Sequence, residues 1–300
     1  MPKIVVTGAT GFIGTALVPR LVAAGHLPRL IVRRLPAAPP IPPVEVVPGD
    51  LAVPSSLRPA VEGADAVVHL GAATSAGRLD PALAYRTNVG GATALIQACR
   101  AAGCRRVVVL STQHVYLPRC GTYGRTKRIA DALFADSGLD VTILRPSLVY
   151  GPGSRGVFVK LAEFVRRLPV IPVIGPGTWH LRPVYLDDLV VLIVETLARP
   201  DVSGRTYDIG GPERITYNGF LAATCSALGR PCRRIHIPIT VGFVMAWLLE
   251  RVLASPPLTT DNVYGSLLDV PCDLRALLHD FHPTLTPLAV GLHRTLAEAT

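Results

Sequence analysis

A chain of 300 residues, 49% hydrophobic and only 17% charged, can bury a large core without cross-links, which excludes a disordered chain and a disulfide-dense scaffold. Its formal net charge of +9 suits an anionic ligand, a nucleic acid or an acidic membrane surface. The arginines that supply the excess are scattered without a Lys/Arg block, so nucleic acid is not expected as a partner.

The first element is the best defined. Residues Lys3–Gly14 read KIVVTGATGFIG: a strand at Ile4–Val6, a turn carrying Gly8, Gly11 and Gly14, and a helix from Phe12 to Ala24. A glycine turn between a parallel strand and a helix aims free N–H groups and the positive helix end at one point, which is a pyrophosphate site. Gly8 serves the tight turn, Gly11 the close approach of ligand, and Gly14 the packing of helix on sheet. Pro19 should locally disturb this helix, with no functional reason attached.

The second strand, Leu30–Val32, runs into Arg33-Arg34. A carboxylate at this point would accept from ribose hydroxyls, whereas an arginine favours a 2′-phosphate, so NADP is expected in preference to NAD. A proline-dense surface loop, Leu35–Pro43, leads to a third strand, Val44–Val47, and then Gly49-Asp50-Leu51. Asp50 there can accept from an adenine amino group while Leu51 covers the ring; alone, the dipeptide is equally a turn. The fourth strand, Ala66–Leu70, ends in HLGAATS (His69–Ser75), whose small residues let backbone approach a cofactor; His69 reads as a packed strand histidine.

Asp80-Pro81 opens a helix to Ala102, an N-cap followed by proline at the first helical position. A fifth strand, Val107–Leu110, ends in Ser111-Thr112, and the next helix, Tyr123–Ser137, places Tyr123 and Lys127 on one face. A tyrosine, with a reference pKa of about 10, is a poor base until a neighbouring ammonium favours the phenolate. Lys127 is placed to do that, and a hydroxyl of Ser111 or Thr112 to hold the reacting oxygen. After a sixth strand, Val141–Leu144, the rhythm breaks at Pro146. Glycine and proline cluster at Gly151–Gly153 and Gly175–Gly177, as crossings between two lobes. Ile237–Ala254 is apolar, interrupted by Glu250 and Arg251, too short to span a bilayer, and reads as a core helix of the second lobe rather than one lying on a membrane. Ala254–Pro257 is a loop before a short C-terminal segment.

Fully apolar strands alternating with helices predict a parallel sheet covered on both faces. The expected architecture is an α/β doubly wound Rossmann sheet, residues 1–165 plus about 184–212. A smaller substrate lobe would comprise about 166–183 plus 213–300. Six cysteines without a C-x-x-C pair read as reduced thiols of a cytoplasmic protein, no metal site is expected, and Lys3 leads so directly into the first strand that no signal peptide is expected.

Taken together, TGATGFIG, Gly49-Asp50-Leu51, HLGAA, Asn88-Val89-Gly90-Gly91, Ser111-Thr112 with Val115-Tyr116, Tyr123-Gly124-Arg125-Thr126-Lys127, Arg145 to Pro152, Arg182 to Leu189 and Tyr207 to Gly211 resemble an extended or atypical short-chain dehydrogenase/reductase of the NAD(P)-dependent epimerase/dehydratase family. They occur in that family's order over nearly the whole chain. The resemblance implies Tyr123 as acid/base, Lys127 as its partner and Thr112 as the catalytic hydroxyl. It implies a cofactor held by Gly8, Thr10, Gly11, Phe12, Ile13, Gly14, Arg33, Asp50, Leu51, Leu70, Gly71, Ala72, Asn88, Tyr123, Lys127, Pro146, Leu148 and Val149. Substrate would meet Ser111, Thr112 and Arg182; Arg182 is otherwise a surface partner of Asp187 or Asp188. Gln113 and His114 replace the acidic pair of the family's dehydratases, and the Thr112–Tyr123 stretch is short, as in the reductase-like branch. The resemblance implies an NADP-dependent oxidoreductase or epimerase acting on a hydroxyl/carbonyl carbon of a nucleotide-sugar, with a homodimer as the assembly. The alternative is a cofactor-binding structural or assembly protein like respiratory-complex accessory subunits.

Overall fold

The computed structural model describes residues 1–35, 43–74, 79–154, 157–253, 256, 258–265 and 268–297. Most of the proline-dense loop, Ser75, and most of the Ala254–Pro257 loop lie outside the described residues.

Thirteen strands are described: β1 (Lys3–Thr7), β2 (Leu27–Val32), β3 (Glu45–Pro48), β4 (Ala66–His69), β5 (Arg106–Leu110), β6 (Asp140–Pro146), β7 (Val149–Tyr150), β8 (Ile171–Ile174), β9 (His180–Leu181), β10 (Val184–Tyr185), β11 (Thr206–Ile209), β12 (Ile215–Thr216) and β13 (Arg234–Ile237). The helices are α1 (Phe12–Ala23), α2 (Leu57–Val61), α3 (Pro81–Ala84), α4 (Gly91–Ala101), α5 (Gly121–Ala135), α6 (Val157–Arg167), α7 (Leu186–Leu197), α8 (Tyr217–Ala227), α9 (Ile239–Val252), α10 (Thr260–Gly265), α11 (Arg275–Phe281) and α12 (Leu288–Ala297).

Seven strands form one parallel sheet in the order β11-β6-β5-β4-β1-β2-β3. All six strands expected from the apolar runs are in it. The alternation of strand side chains feeds two cores: Ile4 and Val6 pack with Leu17 and Leu21 of α1 and Leu189 of α7, while Val5 packs with Leu95 of α4 and Phe134 of α5. The doubly wound Rossmann fold is therefore present, and its strand order reverses between β1 and β4, where ligands bind in such sheets. The seventh strand, β11, lies at the edge against β6, Tyr207 opposite Leu144.

A third core gathers Tyr150, Phe158 and Leu161 with Phe220, Leu221, Leu288 and Leu292. The final turns of the chain divide their loyalties. Helix α12 joins this third core, whereas Leu274 and Leu277, at the start and on the inner face of α11, return to the first.

Two elements depart from expectation. The helix opened by Asp80, whose carboxylate does accept from the Ala82 N–H (3.0 Å), is interrupted at Tyr85–Gly90 by a π-helical segment between α3 and α4. Helix α9 is not a core helix: only Gly242 and Ala246 are buried in it, and Val241, Val244, Met245, Leu248 and Val252 face outward. Pro19 is accommodated within α1.

Candidate active site

The turn between β1 and α1 meets the loop after β4 at close range. Gly8 has φ of 72°, the left-handed region that favours glycine, and a Cβ there would lie 2.7 Å from the Gly71 nitrogen. Gly14 is close-packed against the turn itself, since a Cβ on it would lie 2.4 Å from the Gly8 carbonyl oxygen, rather than against the sheet. The Gly11 N–H donates to the Gly8 carbonyl (3.0 Å), closing the turn. Thr10 is exposed beside it, and Phe12 and Ile13 are half-buried on the first turn of α1.

Thr7 fastens the two loops. Its Oγ1 accepts from the Gly71 N–H (3.0 Å) and shares a hydrogen bond with His69 Nδ1 (2.8 Å). His69 is buried, and desolvation together with the Lys127 charge lowers its pKa to about 3. It is the packed, neutral strand histidine expected. Leu70 and Ala72 flank Gly71 half-buried. Leu51 is itself buried: a Cβ on Gly71 would lie 2.7 Å from Leu51 Cδ1, and one on Gly91 2.8 Å from Leu51 Cβ. The Asp50 carboxylate accepts from the Ala52 N–H (2.9 Å), a local turn. Arg33 is exposed one residue past the end of β2.

Asn88 sits in the π-helical segment, a distortion frequent at functional sites. Its Oδ1 accepts from the Ala73 N–H (2.6 Å), and its Nδ2 donates to the Ala73 carbonyl (3.1 Å) and to Thr126 Oγ1 (3.0 Å). One side chain thus ties the β4 loop to α5, which carries Tyr123 and Lys127. The Lys127 ammonium is buried and donates to the Leu110 carbonyl at the end of β5 (2.8 Å). Burial lowers its pKa.

One turn earlier, Tyr123 is half-buried, with the His114 ring edge-on at 6.4 Å. Instead of the lowered value expected from Lys127, burial and the charge of Asp131 push the phenol up to about 12. Thr112 caps the short turn Gln113–Tyr116, its Oγ1 accepting from the His114 N–H (3.3 Å). Ser111 is buried, and its hydroxyl has no hydrogen-bond partner among the described residues. Pro146 is buried at the end of β6, and Leu148 and Val149 follow half-buried.

A polar chain behind Tyr123 is not among the expected residues. Asp131, buried on α5, accepts from Arg145 Nε (2.9 Å); Arg145 donates to the Tyr116 hydroxyl (2.9 Å), which donates to Asp208 on β11 (2.8 Å). The spacing of Asp131, four residues after Lys127, was the available signal.

Arg182 lines a cavity of about 480 Å³ with His180, Arg214, Asp269, Cys272, Asp273 and Arg275. It donates to the Pro212 carbonyl (3.2 Å). Asp187 instead pairs with Arg20 (3.5 Å), and Asp188 accepts from Thr286 (2.7 Å), so Arg182 pairs with neither carboxylate. Arg214 and Arg275 are paired with Asp269 (2.8 Å) and Asp273 (2.7 Å). Cys272 joins the cavity to the candidate catalytic strand end, since it hydrogen-bonds Gln113, the residue after Thr112.

The chain is 30% identical over 297 residues to a ceramide reductase of Caulobacter vibrioides, covering 96% of this chain and 88% of that one. It is 32% identical over 291 residues to a 2-alkyl-3-oxoalkanoate reductase of Stenotrophomonas maltophilia, covering 86% and 87%. Among solved structures it resembles MoeE5 in complex with UDP-glucuronic acid and NAD, with a TM-score of 0.79, 26% identity and coverage of 99% and 98%. Residues 4–210 match the sequence model of the NAD dependent epimerase/dehydratase family. The chain therefore belongs to that family and is an NAD(P)-dependent enzyme of the oxidoreductase or epimerase type.

Proposed function

We propose that the protein is an NADP-dependent reductase of a ketone carried on an apolar chain, with Tyr123 as the proton donor. The observation that carries this reading is the placement of Tyr123, half-buried on the helix whose Lys127 is anchored to the end of β5, next to the buried Ser111. A phenol that holds its proton is an acid, the form a reduction needs. The two relatives named as reductases act on a ceramide and on a 2-alkyl-3-oxoalkanoate, which supports an apolar ketone as substrate class.

When bound, the dinucleotide supplies hydride to the carbonyl carbon. The rest falls to this chain. Ser111 or Thr112 orients the carbonyl oxygen by donating to it; the buried Ser111 hydroxyl has no partner among the described residues to give up. As the C=O π pair moves onto oxygen, Tyr123 delivers its proton, leaving a phenolate whose charge Lys127, one turn along the same helix, offsets. Solvent then reprotonates the phenol. The first turn of α1 presents its free N–H groups to the pyrophosphate, and the turn at Gly8 and Gly11 lets it approach. Arg33, exposed beyond β2, meets the 2′-phosphate.

Tyr123→Phe should lower kcat by roughly 10²–10⁴-fold while leaving NADPH affinity almost unchanged, read by steady-state kinetics and fluorescence titration. Equal turnover would remove Tyr123 from the role. Arg33→Asp should invert the ratio of NADPH to NADH affinities; an unchanged ratio would reject the 2′-phosphate contact, and the NAD bound by MoeE5 makes this the informative comparison.

The cavity at Arg182 favours a second reading, epimerisation of a nucleotide-sugar, because arginine is suited to a phosphate group. An epimerase interconverts UDP-sugars with no net consumption of NADPH, and the proposed reductase consumes one NADPH per ketone reduced.

A further inference from the structure

We propose that α9 is an interfacial docking helix that seats this protein on the surface of an anionic lipid bilayer. The helix is 14 residues long, too short to cross a membrane, and no helix of the described residues is long and apolar enough to do so. Its exposed apolar residues Val241, Val244, Met245, Leu248 and Val252 recur at helical spacing and share one face about 100° wide. Val244 is 58% exposed and Val252 78%, values that a packed core helix does not show. The opposite side holds the buried Gly242 and Ala246, and the Glu250 carboxylate turns inward to accept from the Thr260 N–H (3.0 Å). The outward face therefore carries no negative charge.

The border of that face has the chemistry of a headgroup layer. Trp247 lies at its edge with the Arg251 guanidinium 4.0 Å from its ring centroid. An indole suits the boundary between tails and headgroups, and an arginine beside it reaches phosphate. The strand leading into the helix, β13, adds Ile235 at 58% exposure, beside exposed Arg233 and Arg234. Apolar face, aromatic edge and basic border are the combination by which a helix lies in a bilayer surface, each cation adding about 1 kcal/mol near anionic lipid. A second copy of this chain fits less well, because a two-fold contact through this face would set the same arginines against each other.

The placement also serves the site. Phe243 of α9 packs on Tyr264 of α10 with ring centroids 4.6 Å apart, and Tyr264 accepts from Arg119 (2.6 Å). A Cβ on Gly121, the first residue of α5, would lie 2.4 Å from Asp261 of α10. Helix α10 thus touches both the docking helix and the first turn of α5, which carries Tyr123. The docking surface stands apart from the substrate reading and would hold for any substrate.

The test is flotation of the full-length protein with vesicles of phosphatidylcholine alone and of phosphatidylcholine mixed with phosphatidylglycerol. Wild type should float with the mixed vesicles, weakly with the neutral ones, and less as salt is raised. Val244→Asp combined with Leu248→Asp should lower that binding at least about tenfold. Arg251→Glu should lower it more on mixed than on neutral vesicles. Because these side chains are exposed, melting temperature and NADPH affinity should stay at wild-type values. Wild type remaining unbound with both vesicles would overturn the proposal. So would variants that float like wild type, or a Val244→Asp/Leu248→Asp change that only splits a dimer.

Discussion

His69 is where proton binding and folding are most directly linked. Its folded pKa of about 3 lies below the reference value of 6.5 because the ring is buried and the Lys127 charge disfavours a second cation beside it. Between those two values the unfolded chain binds a proton that the folded chain does not, so stability falls as pH drops from 6.5 towards 3. One such proton gives a slope of up to about 1.4 kcal/mol per pH unit. Urea unfolding at a series of pH values should show that slope, and His69→Gln should flatten it. The identity of the pocket residues was legible one by one where chemistry restricts the choice: a turn at φ 72° calls for glycine, and a Tyr and Lys four apart on a helix share a face. Asp131 was not legible, because an acid on a helix ordinarily reads as solvated. Its burial is tolerable because Arg145, fourteen residues on in β6, pairs with it at 2.9 Å.

At the scale of elements, the segment Tyr85–Gly90 holds the loop after β4 to α5 through one amide. Asn88→Ala would strand the Ala73 N–H and carbonyl and take away the donor to Thr126 Oγ1, whose own proton still goes to the Tyr123 carbonyl. The cost should be about 1–3 kcal/mol of stability, measured by urea unfolding, together with a lower kcat from a less firmly placed α5. The apolar rhythm of residues 80–102 announced a helix and its cap, and both are present. It could not announce the π-helical segment, since one extra residue in a turn leaves the hydrophobic pattern nearly intact. The six strands were legible for a related reason: strands covered on both faces are apolar throughout. The exposure of α9 was hidden by that same rule, because an apolar run reads as core whether its partner is protein or something outside the chain.

For the molecule as a whole, the C-terminal chain decides how many parts there are. Asp280 on α11 pairs with Arg205 (2.6 Å) and accepts from the Tyr207 hydroxyl (2.5 Å), its backbone carbonyl accepts from Arg199 (2.9 Å), and Phe281 packs edge-on against Tyr207 (5.2 Å). The hydrogen bond from Tyr207, followed by those of His279 and Arg205, holds the Asp280 carboxyl far below the usual range. Leu277, 1% exposed, completes the core between α1, α7 and the sheet. Leu277→Ala should therefore cost about 2–5 kcal/mol, although it lies some seventy residues beyond β11. Circular dichroism and tryptophan fluorescence should still report one coincident transition, where separable units would give two. The sheet that holds the dinucleotide is thus unfinished until nearly the last helix has been made. Exchanging specificity between relatives by transplanting everything after β11 would carry off part of the recipient's foundations. A workable chimera must leave residues 274–281 with the host and splice the foreign sequence on either side of them.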